Sequence, residues 1–177
     1  MRLLRTIRLD PSDTFVFERA AEPGEWAVPG GFVFFDGPDQ LTGKARAAFR
    51  AGLLGVDSLG WSTLAQIVEA TEEDRAEVVA LLAQRLIDRF GAPDLAQARA
   101  AAEEEVTFAA SLCEHPSDTL IAVHRTFEDG AVREMFRTLR ARAGEKPLRA
   151  FAYVDVEGEE EPGESVDLVG MAQGDRT

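Results

Sequence analysis

Reactive side chains are scarce in this chain: its 177 residues include one cysteine, two histidines and one tyrosine. Zinc needs three or four ligands converging on one point, and the soft donors here are Cys113, His115 and His124 alone, so neither a metal nor a cofactor is expected. A lone cysteine forms no internal disulfide, which agrees with a reducing compartment. Positive charge is also in short supply. Nineteen Lys and Arg stand against 32 Asp and Glu, a formal charge of −13. Nucleic acid is bound largely through Lys and Arg that displace counterions, and it is not an expected partner. Long apolar runs are missing as well. The longest, Val78 to Ala83, falls far short of the roughly 20 residues that span a bilayer. The stretch Met1 to Leu9 alternates arginine with aliphatic residues and lacks the apolar core of a secretory signal, so a cytoplasmic location is expected.

What is present is the composition of a soluble globule, 45% apolar and 29% charged. The length suits one domain, placed here at 1–156. An acidic loop from Glu157 to Glu164 and a C-terminal strand or tail complete residues 157–177, a segment expected to be partly flexible because like charges resist packing. The expected fold is α+β, a mostly antiparallel sheet covered on one face by three to four helices. Strands are read at Leu3 to Leu9, Thr14 to Glu18, Gly31 to Phe35, Trp61 to Ala70, Thr119 to Phe127, Leu148 to Val156 and Ser165 to Met171. Helices are read at Gln40 to Leu54, where Leu41, Ala45, Ala48, Phe49 and Leu53 recur at spacings of three and four, and from Thr71 to Phe90, where Thr71 and Asp74 make a capping pair and Gly91 ends the run. A third runs from Asp94 to about Glu114. Val132, Met135, Phe136 and Leu139 follow helical spacing, so a helix is preferred over 131–141, although Asp129-Gly130 is also a hairpin signal.

Candidate sites are few. Cys113 and His124 could meet if the helix packs on its successor strand, but an orienting group and oxyanion donors cannot be located. Glu103, Glu104 and Glu105 are consecutive on a helix and point to different faces. The loop from Gly55 to Thr63 gathers a carboxylate, hydroxyls and an indole between a helix and a strand, and Asp57, Ser58 and Trp61 are its candidate ligand-binding residues. A local excess of base between Ala131 and Arg149, comprising Arg133, Arg137, Arg140, Arg142, Lys146 and Arg149, makes Arg133 and Arg137 candidate anion contacts.

Three phrases carry a family resemblance: Leu3 to Phe15 (LLRTIRLDPSDTF), Gly55 to Trp61 (GVDSLGW) and His124 to Gly130 (HRTFEDG). Over residues 2–142 the chain resembles an uncharacterised family of small bacterial proteins. The resemblance implies no activity, cofactor or catalytic residue. It implies occurrence beside genes for formate dehydrogenase maturation and a biotin/lipoate-ligase-like protein, and hence an accessory role in redox-enzyme maturation. The expected function is therefore a non-catalytic accessory or adaptor protein that binds another protein. The alternative is a small-molecule-binding domain or hydrolytic enzyme with a pocket near Asp57 to Trp61. A homodimer is a further expectation, because Phe32, Phe34 and Phe35 would occupy both faces of a strand and leave an apolar surface to cover.

Overall fold

The computed structural model describes residues 1–141 and 153–155. The expected acidic loop at 157–164, the strand at 165–171 and the tail lie outside the described residues, as do Arg142, Lys146 and Arg149. The rest is α+β, built on one antiparallel sheet.

Strands β1 (Arg2–Ile7) and β5 (Leu64–Glu69) form its middle, paired from Arg2 opposite Glu69 to Ile7 opposite Leu64. Beyond β1 come β2 (Trp26–Val28), β3 (Leu53–Gly55) and β4 (Trp61–Ser62); beyond β5 come β6 (Leu120–Glu128), β7 (Ala131–Ala141) and β8 (Tyr153–Asp155). Paired residues share a face, so the register places Leu4, Ala27, Ala65, Ile67, Ile121 and Val123 together, and all six are buried. The intervening Arg5, Gln66, Ala122 and His124 are half-buried on the opposite face.

Helices α3 (Glu72–Phe90) and α4 (Leu95–Ser111) cover the buried face. The start of α3 is fixed as expected: Thr71 Oγ1 accepts from the Asp74 amide at 3.0 Å, and Asp74 accepts from the Thr71 amide at 2.8 Å. It ends where Gly91 takes a left-handed φ of +73°. Asp94 caps α4 through the Gln97 amide. The buried stripe of α4 is Ala98, Ala102, Val106 and Ala109, small side chains that let its backbone sit close to β1 and β2.

Four expectations need correction. Thr14 to Glu18 is not a strand. Asp10 accepts from the Ser12 amide, and the chain turns into the short helix α1 (Asp13–Val16), which leaves Phe15 and Val16 exposed and buries Phe17. Gly31 to Phe35 is not a strand either: Gly30 reverses the chain with φ +79°, and a 3₁₀ turn follows at Gly31–Phe34. Phe32 and Phe34 therefore pack inward, Phe32 edge-on to Phe90 and Phe34 stacked on Trp61 at 5.2 Å. The helix expected at 40–54 is shorter, α2 (Gly43–Ala51), because Gly52 is extended and the chain enters β3, where Leu53 and Leu54 are buried. Residues 131–141 are strand rather than helix. The Asp129-Gly130 turn wins over helical spacing because the register sets Val132, Glu134 and Phe136 opposite Phe127, Arg125 and Val123.

The sheet curls. In a flat sheet β2 and β6, separated by β1 and β5, would be about 14 Å apart, beyond the reach of one arginine. Yet Arg125 of β6 bonds to the carbonyls of Pro29, just past β2, and Gly52, just before β3. Under this curl sits a second small core of Phe17, Phe34, Ala48 and Phe49. No described helix is long and apolar enough to cross a membrane.

Candidate functional site

The structure distributes the five residues singled out from sequence rather than gathering them. Asp57 pairs with Arg85 at 2.9 Å. Ser58 is held by Glu25, whose Oε1 accepts from both its amide and its hydroxyl at 3.0 Å. Trp61 turns away from that pair and stacks on Phe34. A hollow of about 420 Å³ opens beside it, lined also by Glu18, Arg19, Val33, Phe34 and Lys44, with Asp57 and Ser58 outside its lining. Arg133 and Arg137 share the outer face of β7, and Arg133 reaches Glu128 at 3.3 Å and Asp129 at 3.9 Å. Cys113 lies in the main core, its thiol directed at the Ala109 carbonyl and its pKa pushed up by burial to about 11. His124 sits on the opposite face of β6 from Val123 and Arg125, and no described hydrogen bond joins it to Cys113.

The densest polar constellation centres on Arg125. Alternation along β6 puts Ile121, Val123 and Arg125 on the core face, and the arginine side chain is completely buried. A buried charge is tolerated only when paired and hydrogen-bonded. Arg125 meets both conditions. Its Nε donates to Glu134 Oε2 at 2.8 Å, Nη1 donates to the carbonyls of Gly52 at 2.6 Å and Phe49 at 3.2 Å, and Nη2 donates to the Pro29 carbonyl. Burial lowers the Arg125 pKa, Glu134 and Glu105 oppose that shift, and an arginine starts high enough to stay protonated. The guanidinium thus ties β6 and β7 to the segments leaving β2 and entering β3. Its donors are directed at protein atoms, so it acts as a clamp.

Glu105 of α4 completes the cluster by accepting from the Gly30 amide at 2.8 Å. Its pKa is raised, first by burial and then by the charge of Glu134, against the opposing pull of the Gly30 amide and Arg125. A carboxyl whose native pKa lies above its ordinary 4.5 holds its proton more tightly when folded. Its contribution to stability is therefore greatest below that value and is lost as pH rises through the native pKa. Glu105→Gln keeps an acceptor for Gly30 without the charge. Urea titrations of both proteins from pH 4 to 7 are expected to show stability moving in favour of the variant as pH rises; a constant difference would contradict it.

Comparison with known protein families gives a match over most of the chain. Residues 1–157 fit the family of unknown function DUF6505. The chain belongs to that family. The match extends past residue 142, where the resemblance read from sequence stopped, and takes in every residue described above. No curated protein and no solved structure matches the chain.

In this DUF6505 chain the residues that sequence reasoning missed are Arg125 and Glu134, and Glu105 was set aside with Glu103 and Glu104 as pointing to different faces. A signal was available. Pairing outward from the Asp129-Gly130 turn sets Glu128 opposite Ala131 and Arg125 opposite Glu134, a pair of opposite charges across a hairpin. Reading 131–141 as a helix concealed it.

Proposed function

We propose that the chain is a non-catalytic, protein-binding accessory module that docks a partner through the exposed side chains of Phe15, Val16 and Phe35. The observation behind this reading is the exposure of two phenylalanines, Phe15 at 72% and Phe35 at 74%, each beside the small core that buries Phe17 and Phe34. Burying a phenylalanine is worth about 1.5–3 kcal/mol, so a partner covering both has ample driving force. A redox-enzyme maturation factor is the partner that the family resemblance puts forward. The test is affinity capture from cells of the source organism with the intact chain and with Phe15→Ser/Phe35→Ser, each checked for an unchanged Tm. A stoichiometric partner is expected with the intact chain and at least about tenfold less with the variant, given the energy of two lost aromatic contacts. Equal recovery by both would refute the reading. A second copy of the chain is the competing occupant, and sedimentation at micromolar concentration identifies it by a mass that rises with concentration.

A second reading, binding of a small molecule, draws on the hollow beside Trp61, where the Phe34–Trp61 stack provides an aromatic wall next to Arg19 and Lys44. Hydrolysis there has less support, because Ser58 lies outside the lining and donates to Glu25 rather than to a histidine.

A further inference from the structure

Strand β6 has nine residues, but β5 pairs only with Leu120 and Ile121. Farther along, helix α2 packs against β6 in place of a strand. Helix and strand do not close completely, and a hollow of about 330 Å³ lies between α2, β6 and the 3₁₀ turn at Pro38–Gln40. Its lining includes Arg46 and Arg50 of α2, His124 and Thr126 from one face of β6, Phe127 from the other, and Leu41.

The charges here need explaining. Arg46 and Arg50 are four apart on α2 and so lie on one face, where like charges destabilise a helix by roughly 0.2–0.5 kcal/mol. The chain has 32 acidic residues to distribute, yet neither arginine has an ion pair among the described residues, and Asp39 is the one acid in the lining. His124 and Thr126, two apart on a strand, share a face. Arg125 also borders the hollow, but its donors are directed at Glu134 and three carbonyls. Two exposed guanidinium forks without ion pairs among the described residues, with His124 and Thr126 also in the lining, supply the donors that an anion with several acceptor oxygens would use.

We propose that this hollow binds the phosphate group of a small phosphorylated molecule. Arg46 and Arg50 take the terminal oxygens, Thr126 and His124 donate to the same group, and Leu41 and Phe127 receive the molecule's apolar part. A phosphate monoester fits this donor set better than a carboxylate because it has three terminal oxygens and close to two negative charges. The volume is at the lower limit of small-molecule sites, about 300 Å³, which favours one ring and one phosphate over a dinucleotide. Asp39 disfavours a second negative group. Neither Phe15 nor Phe35 lines this hollow, so the proposal does not rest on protein docking at those side chains.

The test is calorimetric titration of the full chain with phenyl phosphate, inorganic phosphate and phenol. Phenyl phosphate is expected to bind, inorganic phosphate to bind more weakly, and phenol to give no signal. Arg46→Gln/Arg50→Gln should weaken phenyl phosphate about 100-fold, roughly tenfold for each charge-assisted contact. Arg99→Gln, which removes one exposed positive charge elsewhere on α4, should leave affinity unchanged and so separates a site from general attraction. Both arginines are exposed, and an unchanged Tm in the double variant excludes unfolding as the cause. Absence of phenyl phosphate binding, equal binding by the double variant, or binding of phenol as tight as that of phenyl phosphate would each overturn the proposal.

Discussion

Arg125→Met is expected to cost the fold about 3–5 kcal/mol, the range found when one partner of a buried ion pair is removed. Typical domains have about 5–15 kcal/mol in total, so the loss is a large share. Methionine fills most of the space but donates nothing. The carbonyls of Pro29, Phe49 and Gly52 lose a donor inside the protein, and Glu134 keeps its charge beside Glu105 without a counterion. Urea denaturation should show a lower midpoint at an unchanged slope. A companion variant, Arg125→Met/Glu134→Leu, separates the two contributions. It removes the unpaired carboxylate and should recover part of the loss, but the three carbonyls left without their donor keep it below the parent. A loss under about 1 kcal/mol in the single variant would mean that water or another side chain replaces the clamp.

Gly30→Ala is the second large effect, expected at about 2–5 kcal/mol, because conformation and space both oppose it. At φ +79° an alanine would sit in the left-handed region, and its Cβ would lie 2.6 Å from Leu54 Cβ and 3.2 Å from Trp61 Cζ3. Leu54 cannot retreat, since it is buried and paired with both Val28 and Trp61. Gly24→Ala provides the control. That glycine has a similar φ of +83° but open space around its α-carbon, so it should lose only the conformational part, about 1–2 kcal/mol. Equal thermal shifts for the two variants would show that crowding at Gly30 is relieved cheaply.

The sequence was legible where one local signal had no rival. The Thr71–Asp74 capping pair, the Gly91 stop and the β-branched run from Leu120 to Val123 each agree with their surroundings, and the structure has α3 and β6 there. Reading failed where two periods competed. Val132, Met135, Phe136 and Leu139 satisfy helical spacing, while Val132, Glu134 and Phe136 satisfy the alternation of a strand, and pairing with β6 decides between them. Phe32, Phe34 and Phe35 look like strand residues by type, but the left-handed Gly30 before them turns the chain into a 3₁₀ turn. Of the candidate site residues, Trp61 borders a hollow, whereas Asp57 and Ser58 are tied to Arg85 and Glu25 through partners distant in the chain. Arg125 went unremarked because its three carbonyl partners are 73 to 96 residues away, and no local pattern encodes them.

Those separations bear on how the protein emerges during synthesis. The carbonyl groups that await Arg125 leave the ribosome far ahead of it, and Glu134 follows nine residues later still. Until then the carbonyls of Pro29, Phe49 and Gly52 lack that donor, so the contacts of the clamp can form only after the β6–β7 hairpin clears the exit tunnel.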